Sequence, residues 1–185
     1  MSTVQPPLLE NATRDLAGFA SRLQYADIPA VAVERMRDCV LDAIGCCLHG
    51  VTLPWTRKVQ EMVLAEGAAP AASIFGGAGK TSVSQAVLVN GTAGHAFELD
   101  DIHKESIVHP GSLALPVAVA LAEAAGGASG RDLVTAMVAG YEVGTRVGNA
   151  ATMSLFLRGF HPQGTSGAFV AAATAGRMLG LDPAQ

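Results

Sequence analysis

The stretch Ser129–Ala150, SGRDLVTAMVAGYEVGTRVGNA, predicts a helix that packs closely against a neighbouring helix. Ser129 followed by Asp132 is typical of a helix N-terminus, because each side chain can accept a hydrogen bond from the other residue's backbone N–H. Three glycines recur at every fourth position and share one helix face: Gly140, Gly144 and Gly148. A glycine face of this kind also occurs in membrane helices. Four charged residues in the same stretch argue against that interpretation here: Arg131, Asp132, Glu142 and Arg146.

The sequence on both sides predicts further helices, so the expected fold class is all-α, a bundle-like domain of about six to eight helices. Apolar residues recur at spacings of three and four, as in amphipathic helices. The predicted helices cover residues 8–23, 29–49, 55–66, 83–97, 111–125, 129–150 and 165–179. Residues 1–7 are predicted to be a disordered arm, residues 8–185 a single domain, and residues 68–82 and 156–164 loops.

The loop segment GGAGKTS, residues 76–82, superficially suggests a phosphate-binding loop. The spacing fails, because the motif needs a glycine at position 74, where this chain has Ile74. A phosphate-binding loop also joins a buried strand to a helix in an α/β unit, and no such alternation is present. The segment therefore predicts a surface loop.

Composition excludes several function classes. Hydrophobic residues make up 50% of the 185 residues, yet no run reaches the roughly 18 apolar residues of a membrane span, so no membrane span is expected. The net charge is −4 and no Lys/Arg cluster exists, which argues against nucleic acid as a partner. The three cysteines lie between residues 39 and 47 and predict free, buried thiols in a reducing compartment. Since the N-terminus lacks a signal-peptide pattern, a cytoplasmic protein is expected.

The titratable groups concentrate in Gly94–Ser112, GHAFELDDIHKESIVHPGS, which holds three of the five histidines. His109 precedes Pro110, and His161 precedes Pro162 in the second polar segment, GFHPQG. Each histidine leads into a helix N-terminus, which favours anions. Imidazoles at such positions can meet a carboxylate or carry a proton near neutral pH. On spacing alone, two unrelated loop histidines remain an equal alternative.

The other histidines leave alternatives open. His49 is expected at a helix end, in a capping or surface role. His95 is either a core residue or a supporting residue of a site, and His103 is either exposed or in contact with a ligand. The acids and histidines of this stretch could in principle bind a divalent ion. No HExxH pattern or spaced Cys/His set is present, so the sequence favours a hydrogen-bond network, with no metal and no cofactor.

Three motifs together resemble the MmgE/PrpD family, over about residues 8–185: ELDD at Glu98–Asp101, HPG at His109–Gly111 and FHPQGTSG at Phe160–Gly167. Asn90-Gly91 and the helix segment DCVLDAIGC support the resemblance. That family includes 2-methylcitrate dehydratase, cis-aconitate decarboxylase and an iminodisuccinate epimerase. Its members have a large helical domain and a smaller α/β lid. The resemblance implies that this chain is the N-terminal helical portion, without the lid, of a longer homodimeric protein.

The resemblance also implies a site and a reaction. The implied catalytic residues are His109, His161, Asp100 and Asp101, and the implied substrate-binding residues are Glu98, His103 and Gln163. The expected function is a lyase acting on a small di- or tricarboxylate. Elimination of water, as by 2-methylcitrate dehydratase, is favoured because IHKESIV, Ile102–Val108, departs from the sequence expected of the decarboxylase. Decarboxylase or epimerase activity, and a truncated helical fragment that is inactive and aggregates, are the alternatives.

Overall fold

The fold is all-α in the part of the chain that the computed structural model describes, residues 10–77 and 79–185. The helices are α1 Ala12–Arg22, α2 Ala30–Gly50, α3 Pro54–Glu66, α4 Val83–Gly94, α5 Gly111–Ala124, α6 Gly130–Leu157 and α7 Pro162–Leu179. A short 3-10 helix, Tyr25–Asp27, lies between α1 and α2. The strands are β1 Ala72–Ile74 and β2 Gly79–Thr81. The predicted arm at residues 1–7 lies outside the described residues.

Helix α5 occupies the centre of the main core. It is apolar on all sides, as expected for a helix enclosed by others, and Ala114, Leu115 and Ala118 are fully buried. The core cluster also draws on α1, α2, α6 and α7. Pro116 lies inside α5 rather than in its first turn. Because α5 begins at Gly111, this central position brings the HPG motif into the middle of the domain.

The glycine face of α6 packs as predicted. A Cβ atom on Gly140 would collide with Thr174 and would lie 2.8 Å from the Val170 carbonyl oxygen of α7. A Cβ on Gly144 would collide with the Val170 side chain. The third glycine, Gly148, instead faces Ser106 in the loop before α5. The glycines therefore set how closely α7 and that loop approach α6.

The predicted start of α6 is confirmed, and its predicted end is wrong. Ser129 and Asp132 form the expected capping box, with N···O distances of 3.1 and 3.2 Å. The helix continues to Leu157 instead of ending near residue 150. The predicted loop at 156–164 is therefore reduced to a short turn at 158–161, and its two ends belong to α6 and α7. Gly159, at φ 85°, supplies the reversal, and Pro162 begins α7 where a missing backbone N–H costs nothing.

The predicted loop at 68–82 is also wrong in part, because it contains the antiparallel hairpin of β1 and β2. Asn90 of α4 holds this hairpin. Its side-chain oxygen accepts from the Phe75 N–H at 2.9 Å, and its amide donates to the Ser73 carbonyl at 2.9 Å. The GGAGKTS segment contains the second strand of this hairpin. A phosphate-binding loop would instead join a buried strand to a helix in a parallel α/β unit.

The three cysteines are free thiols, as predicted, with Cys46 and Cys47 buried and Cys39 half-buried. Among residues 10–77 and 79–185, no one helix combines the length and apolar character needed to cross a membrane. Helices α2 and α3 reach that length and composition only as a pair bent by 84°.

Candidate active site

The candidate site forms where the loop between α4 and α5 folds back on itself. Helix α4 ends at Gly94, three residues before its predicted end, so His95 lies at the first position of this loop. The loop turns through two residues with left-handed backbone, Glu98 at φ 52° and Ile107 at φ 51°. Pairing between His103 and Val108 closes the second turn. These turns return His109 to the vicinity of His95.

Asp100 lies between His95 and His109. Its side chain has no exposed surface, and its two carboxylate oxygens lie 3.0 and 3.2 Å from His95 Nδ1. His109 Nδ1 lies 3.3 Å from the nearer carboxylate oxygen and 3.1 Å from the Asp100 backbone carbonyl. Because these oxygens only accept hydrogen bonds, both Nδ1 atoms carry the hydrogen. In the neutral form, each ring therefore keeps its lone pair on Nε2.

The carboxylate of Asp100 changes the protonation of its neighbour. The hydrogen bond that His95 donates to Asp100 raises the pKa of His95, and the negative charges of Asp100 and Glu98 act in the same direction. Burial of the ring acts in the opposite direction but does not prevail. His95 therefore keeps its proton up to a higher pH than a free imidazole does.

His161 brings a third imidazole to the same place. It is the residue before the first turn of α7, and it is exposed. Its ring centroid lies 6.5 Å from that of His95, and the His95 and His109 centroids lie 4.6 Å apart. Two histidines therefore contact one buried carboxylate, and His161, from a segment 52 positions after His109, lies beside the first of them. This arrangement can both accept and donate protons near neutral pH.

Gln163 fixes the position of His109. Its side-chain oxygen accepts from the His109 N–H at 2.7 Å, and its amide donates to the His109 carbonyl at 3.0 Å. The same amide donates to Ser112 Oγ at 3.1 Å. The side chain thus joins α7 to the start of α5. Its contacts support a positioning role, and its predicted substrate binding stays a prediction.

Asp101 faces away from the histidines. One carboxylate oxygen accepts from the Gly111 N–H at 2.9 Å, and the other accepts from the Tyr141 hydroxyl at 2.9 Å. The Asp101 N–H donates to the Asp42 carboxylate at 3.1 Å. Burial raises the pKa of Asp101, and the Tyr141 hydrogen bond counteracts part of this effect. Asp101 therefore caps α5 and ties it to α6, while its predicted catalytic role stays a prediction.

Two further predicted residues lie outside the cluster. Glu98 is exposed, and it affects the site through its negative charge, which helps to raise the pKa of His95. His103 Nδ1 lies 2.9 Å from Ser106 Oγ, and its Nε2 lies 3.5 Å from the Glu105 carboxylate. These contacts stay within the second turn of the loop. Substrate binding by Glu98 and His103 remains a prediction.

The sequence interpretation did not include His95 among the site residues. Its position directly after a small-residue helix was compatible with a core role. The signal that could have identified it is the pair His95 and Asp100, five residues apart across a helix end, where the chain can fold back.

In the described part of the chain, one group of side chains could supply the ligands of a metal ion: His95, Asp100 and His109. Atoms of His95, Asp100 and His109 lie within 4.8 Å of one another. In this structure the Nδ1 atoms of His95 and His109 are hydrogen-bonded to Asp100. A hydrogen-bond network without a metal, which the sequence favours, stays a prediction.

The chain is similar to several known proteins. Residues 14–185 match the model of the MmgE/PrpD N-terminal domain. The chain is 34% identical to cis-aconitate decarboxylase of Aspergillus terreus, over 92% of this chain and 36% of that protein. It is 33% identical to the cis-aconitate decarboxylase-like protein oryM of Aspergillus oryzae, over 94% and 37%. Human cis-aconitate decarboxylase is 27% identical, also over 94% and 37%.

The chain thus spans a little over a third of the length of these curated relatives. Its match to the family model covers nearly all of the residues that the structure describes. The chain belongs to the MmgE/PrpD family, as its ELDD, HPG and FHPQGTSG motifs predicted.

Proposed function

We propose that this chain supplies the histidine-bearing wall of a lyase active site that acts on a small di- or tricarboxylate. The observation that carries the proposal is the cluster of His95 and His109 around the buried Asp100, with His161 beside it. A buried carboxylate between two imidazoles orients both rings and stabilises a proton on either of them.

Lyase reactions of carboxylates need such groups. In a dehydration, a base removes a proton from the carbon next to a carboxylate, the C–O bond breaks, and an acid protonates the leaving hydroxide to water. In a decarboxylation, a C–C bond breaks, carbon dioxide leaves, and an acid protonates the carbon that retains the electron pair. Imidazoles serve as the acid and the base in both cases, typically accelerating proton transfer by about 10²–10⁴-fold.

Decarboxylation of a cis-aconitate-like tricarboxylate is the first candidate reaction, because the relatives named above are cis-aconitate decarboxylases or like them. Loss of water from 2-methylcitrate is the second. It is favoured by Ile102–Val108, whose sequence departs from that expected of the decarboxylase and which forms the closed turn between Asp101 and His109. A different turn at this place can change which substrate fits.

The proposal includes a second, basic wall. A tricarboxylate carries up to three negative charges, and charge-assisted hydrogen bonds from Lys or Arg are the usual way to hold it. Among the described residues, the ion pairs of Asp100 involve histidines alone. We propose that the basic residues lie in the part of the full-length protein that these 185 residues do not cover. We also propose that the complete enzyme is a homodimer, is cytoplasmic and needs no cofactor.

The test is a product assay on the full-length gene product. Purified protein is incubated with cis-aconitate and, separately, with 2-methylcitrate, and carbon dioxide release and the organic products are followed by NMR. We expect turnover of one substrate and a loss of about 100-fold in kcat for His161→Ala.

The matched control is His49→Gln, which alters an exposed histidine at the end of α2 that is in edge-to-face contact with Phe97. This variant should keep the wild-type rate. Equal rates for His161→Ala and the wild type, or no turnover of either substrate, would contradict the proposal.

A further inference from the structure

A depression of about 380 Å³ lies beside His95, at the meeting of α3, α4, α5 and α7. Its walls include Trp55, Thr92, His95, Ser112, Leu113 and Gln163. The volume suits part of a small polycarboxylate. His109 and His161 are not among its walls, so the depression extends the site in a direction that the two motif histidines do not cover.

His95 is the one titratable side chain on these walls. Three other polar side chains already have partners within the protein. Thr92 Oγ1 donates to the Leu88 carbonyl at 2.7 Å, and Ser112 Oγ donates to the His109 carbonyl at 3.0 Å. The Gln163 amide is used by His109 and Ser112. Two polar side-chain atoms on these walls remain for a ligand: the indole Nε1 of Trp55 and His95 Nε2, since His95 Nδ1 is bonded to Asp100. Of the two, only His95 Nε2 belongs to a group that can carry a positive charge.

The geometry also distinguishes the two neighbouring imidazoles. His95 Nδ1 contacts both carboxylate oxygens of Asp100, at 3.0 and 3.2 Å. His109 Nδ1 is closest to a neutral backbone carbonyl, at 3.1 Å. Two imidazolium rings with centroids 4.6 Å apart repel each other, so one ring takes the proton first. His109 Nδ1 also lies 3.3 Å from one Asp100 carboxylate oxygen, but only His95 Nδ1 is within hydrogen-bond distance of both carboxylate oxygens, which stabilises a proton on His95.

We propose that His95 is a carboxylate-binding residue, which donates a hydrogen bond from Nε2 to one carboxylate of the ligand in this depression while Asp100 holds its Nδ1. This inference rests on the proposed function, since it takes the ligand to be the small polycarboxylate of that reaction. His109, whose Nδ1 contacts the Asp100 backbone carbonyl, is then left to act as the base. The raised pKa of His95, caused first by its hydrogen bond to Asp100, is consistent with this division.

The charged and titratable groups around His95 are compatible with an anion. Asp100 is balanced by the imidazolium itself. Glu98 is exposed, so water and salt screen its repulsion of a ligand carboxylate. From α2, Cys47 packs beside Gly94, and burial raises the pKa of its thiol to about 12, which keeps it uncharged. His109 and His161 are the remaining neighbours, and both can only add positive charge.

The experiment is an NMR titration of the full-length gene product, labelled at histidine, with propane-1,2,3-tricarboxylate as a non-reacting probe. We expect the largest shift at the His95 imidazole, together with a further rise of its apparent pKa. Asp100→Asn should weaken probe binding by about tenfold, because a neutral amide no longer stabilises the imidazolium. His95→Gln should weaken it at least as much, and His49→Gln should leave it unchanged.

Each other result overturns the inference in a recognisable way. Shifts at His109 and His161 without one at His95 would refute the carboxylate-binding role and leave the proposed function standing. Unchanged probe affinity in His95→Gln, in protein that folds as the wild type does by circular dichroism, would refute the role directly. No shift at any imidazole would contradict both this inference and the proposed function.

Discussion

Replacing Gly140 by alanine tests whether the glycine face of α6 sets the position of α7. In an unobstructed helix interior, the change from glycine to alanine stabilises by about 0.8–1 kcal/mol. Here the new Cβ would collide with Thr174 and lie 2.8 Å from the Val170 carbonyl oxygen. Thr174 is fully buried and its hydroxyl donates to that same carbonyl at 2.8 Å, so neither group can move aside freely.

The expected cost follows from these contacts. Overpacking of a well-packed core costs about 1–3 kcal/mol. The two close contacts at this position place the cost in the upper part of that range, about 2–3 kcal/mol, which exceeds the gain in helix propensity. We therefore predict a net destabilisation of about 1–2 kcal/mol for Gly140→Ala. The matched control is Gly45→Ala in α2, where an added Cβ meets no atom within 4 Å. That variant should be more stable than the wild type by up to about 1 kcal/mol.

The assay is equilibrium unfolding by denaturant, followed by circular dichroism, with the thermal midpoint as a second measure. A difference of about 2–3 kcal/mol between the two variants corresponds to roughly 4–12 °C in Tm for a domain of this size. Equal stability of the two variants would refute the reasoning, because it would mean that α7 can withdraw from α6 without cost.

Three further predictions concern the site. Gln163→Leu leaves the His109 N–H and carbonyl without their hydrogen-bond partners. We therefore expect a loss of about 1–3 kcal/mol in unfolding free energy and a lower kcat. Unchanged values of both would refute the positioning role. The raised pKa of His95 implies stability that is complete below about pH 6.5 and lost as pH rises through the folded-state pKa. Asp100→Asn should flatten this slope, which stability curves against pH will show. Exhaustive dialysis against a chelator should leave kcat and Tm unchanged, and recovery of lost activity by added zinc would contradict the prediction of a hydrogen-bond network without a metal.

Most helices could be predicted from the sequence because the residue patterns that indicate them are local. The Ser129–Asp132 capping box, the four-residue glycine spacing and Gly180 in left-handed conformation at the end of α7 each act within one or two turns. The end of α6 was misplaced because no helix-breaking residue follows Gly148 until Gly159. Glycine on a packing face does not stop a helix when a partner helix covers it.

The hairpin could not be predicted in the same way. Strands of three residues carry too little periodicity, and the side chain that stabilises this pair, Asn90, comes from the next helix. The stabilising contact is tertiary and leaves no local sequence pattern.

The site was predicted in outline through the family motifs, but one of its histidines was not. Asp100, His109 and His161 follow from the motifs. His95 joins them because the chain reverses at Glu98, a non-glycine residue in left-handed conformation, which no sequence rule anticipates. That reversal brings the His95 ring and the Asp100 carboxylate together.

The proposal that the buried Asp100 organises a histidine acid–base site is tested most directly by the kcat of Asp100→Asn in the full-length gene product, with whichever of cis-aconitate and 2-methylcitrate the wild type turns over. Asparagine keeps the size of the side chain but removes the charge that orients and protonates the imidazoles. The account predicts a fall of about 100-fold or more, with His49→Gln unchanged. A kcat within twofold of the wild-type value, in protein of wild-type stability, would contradict it.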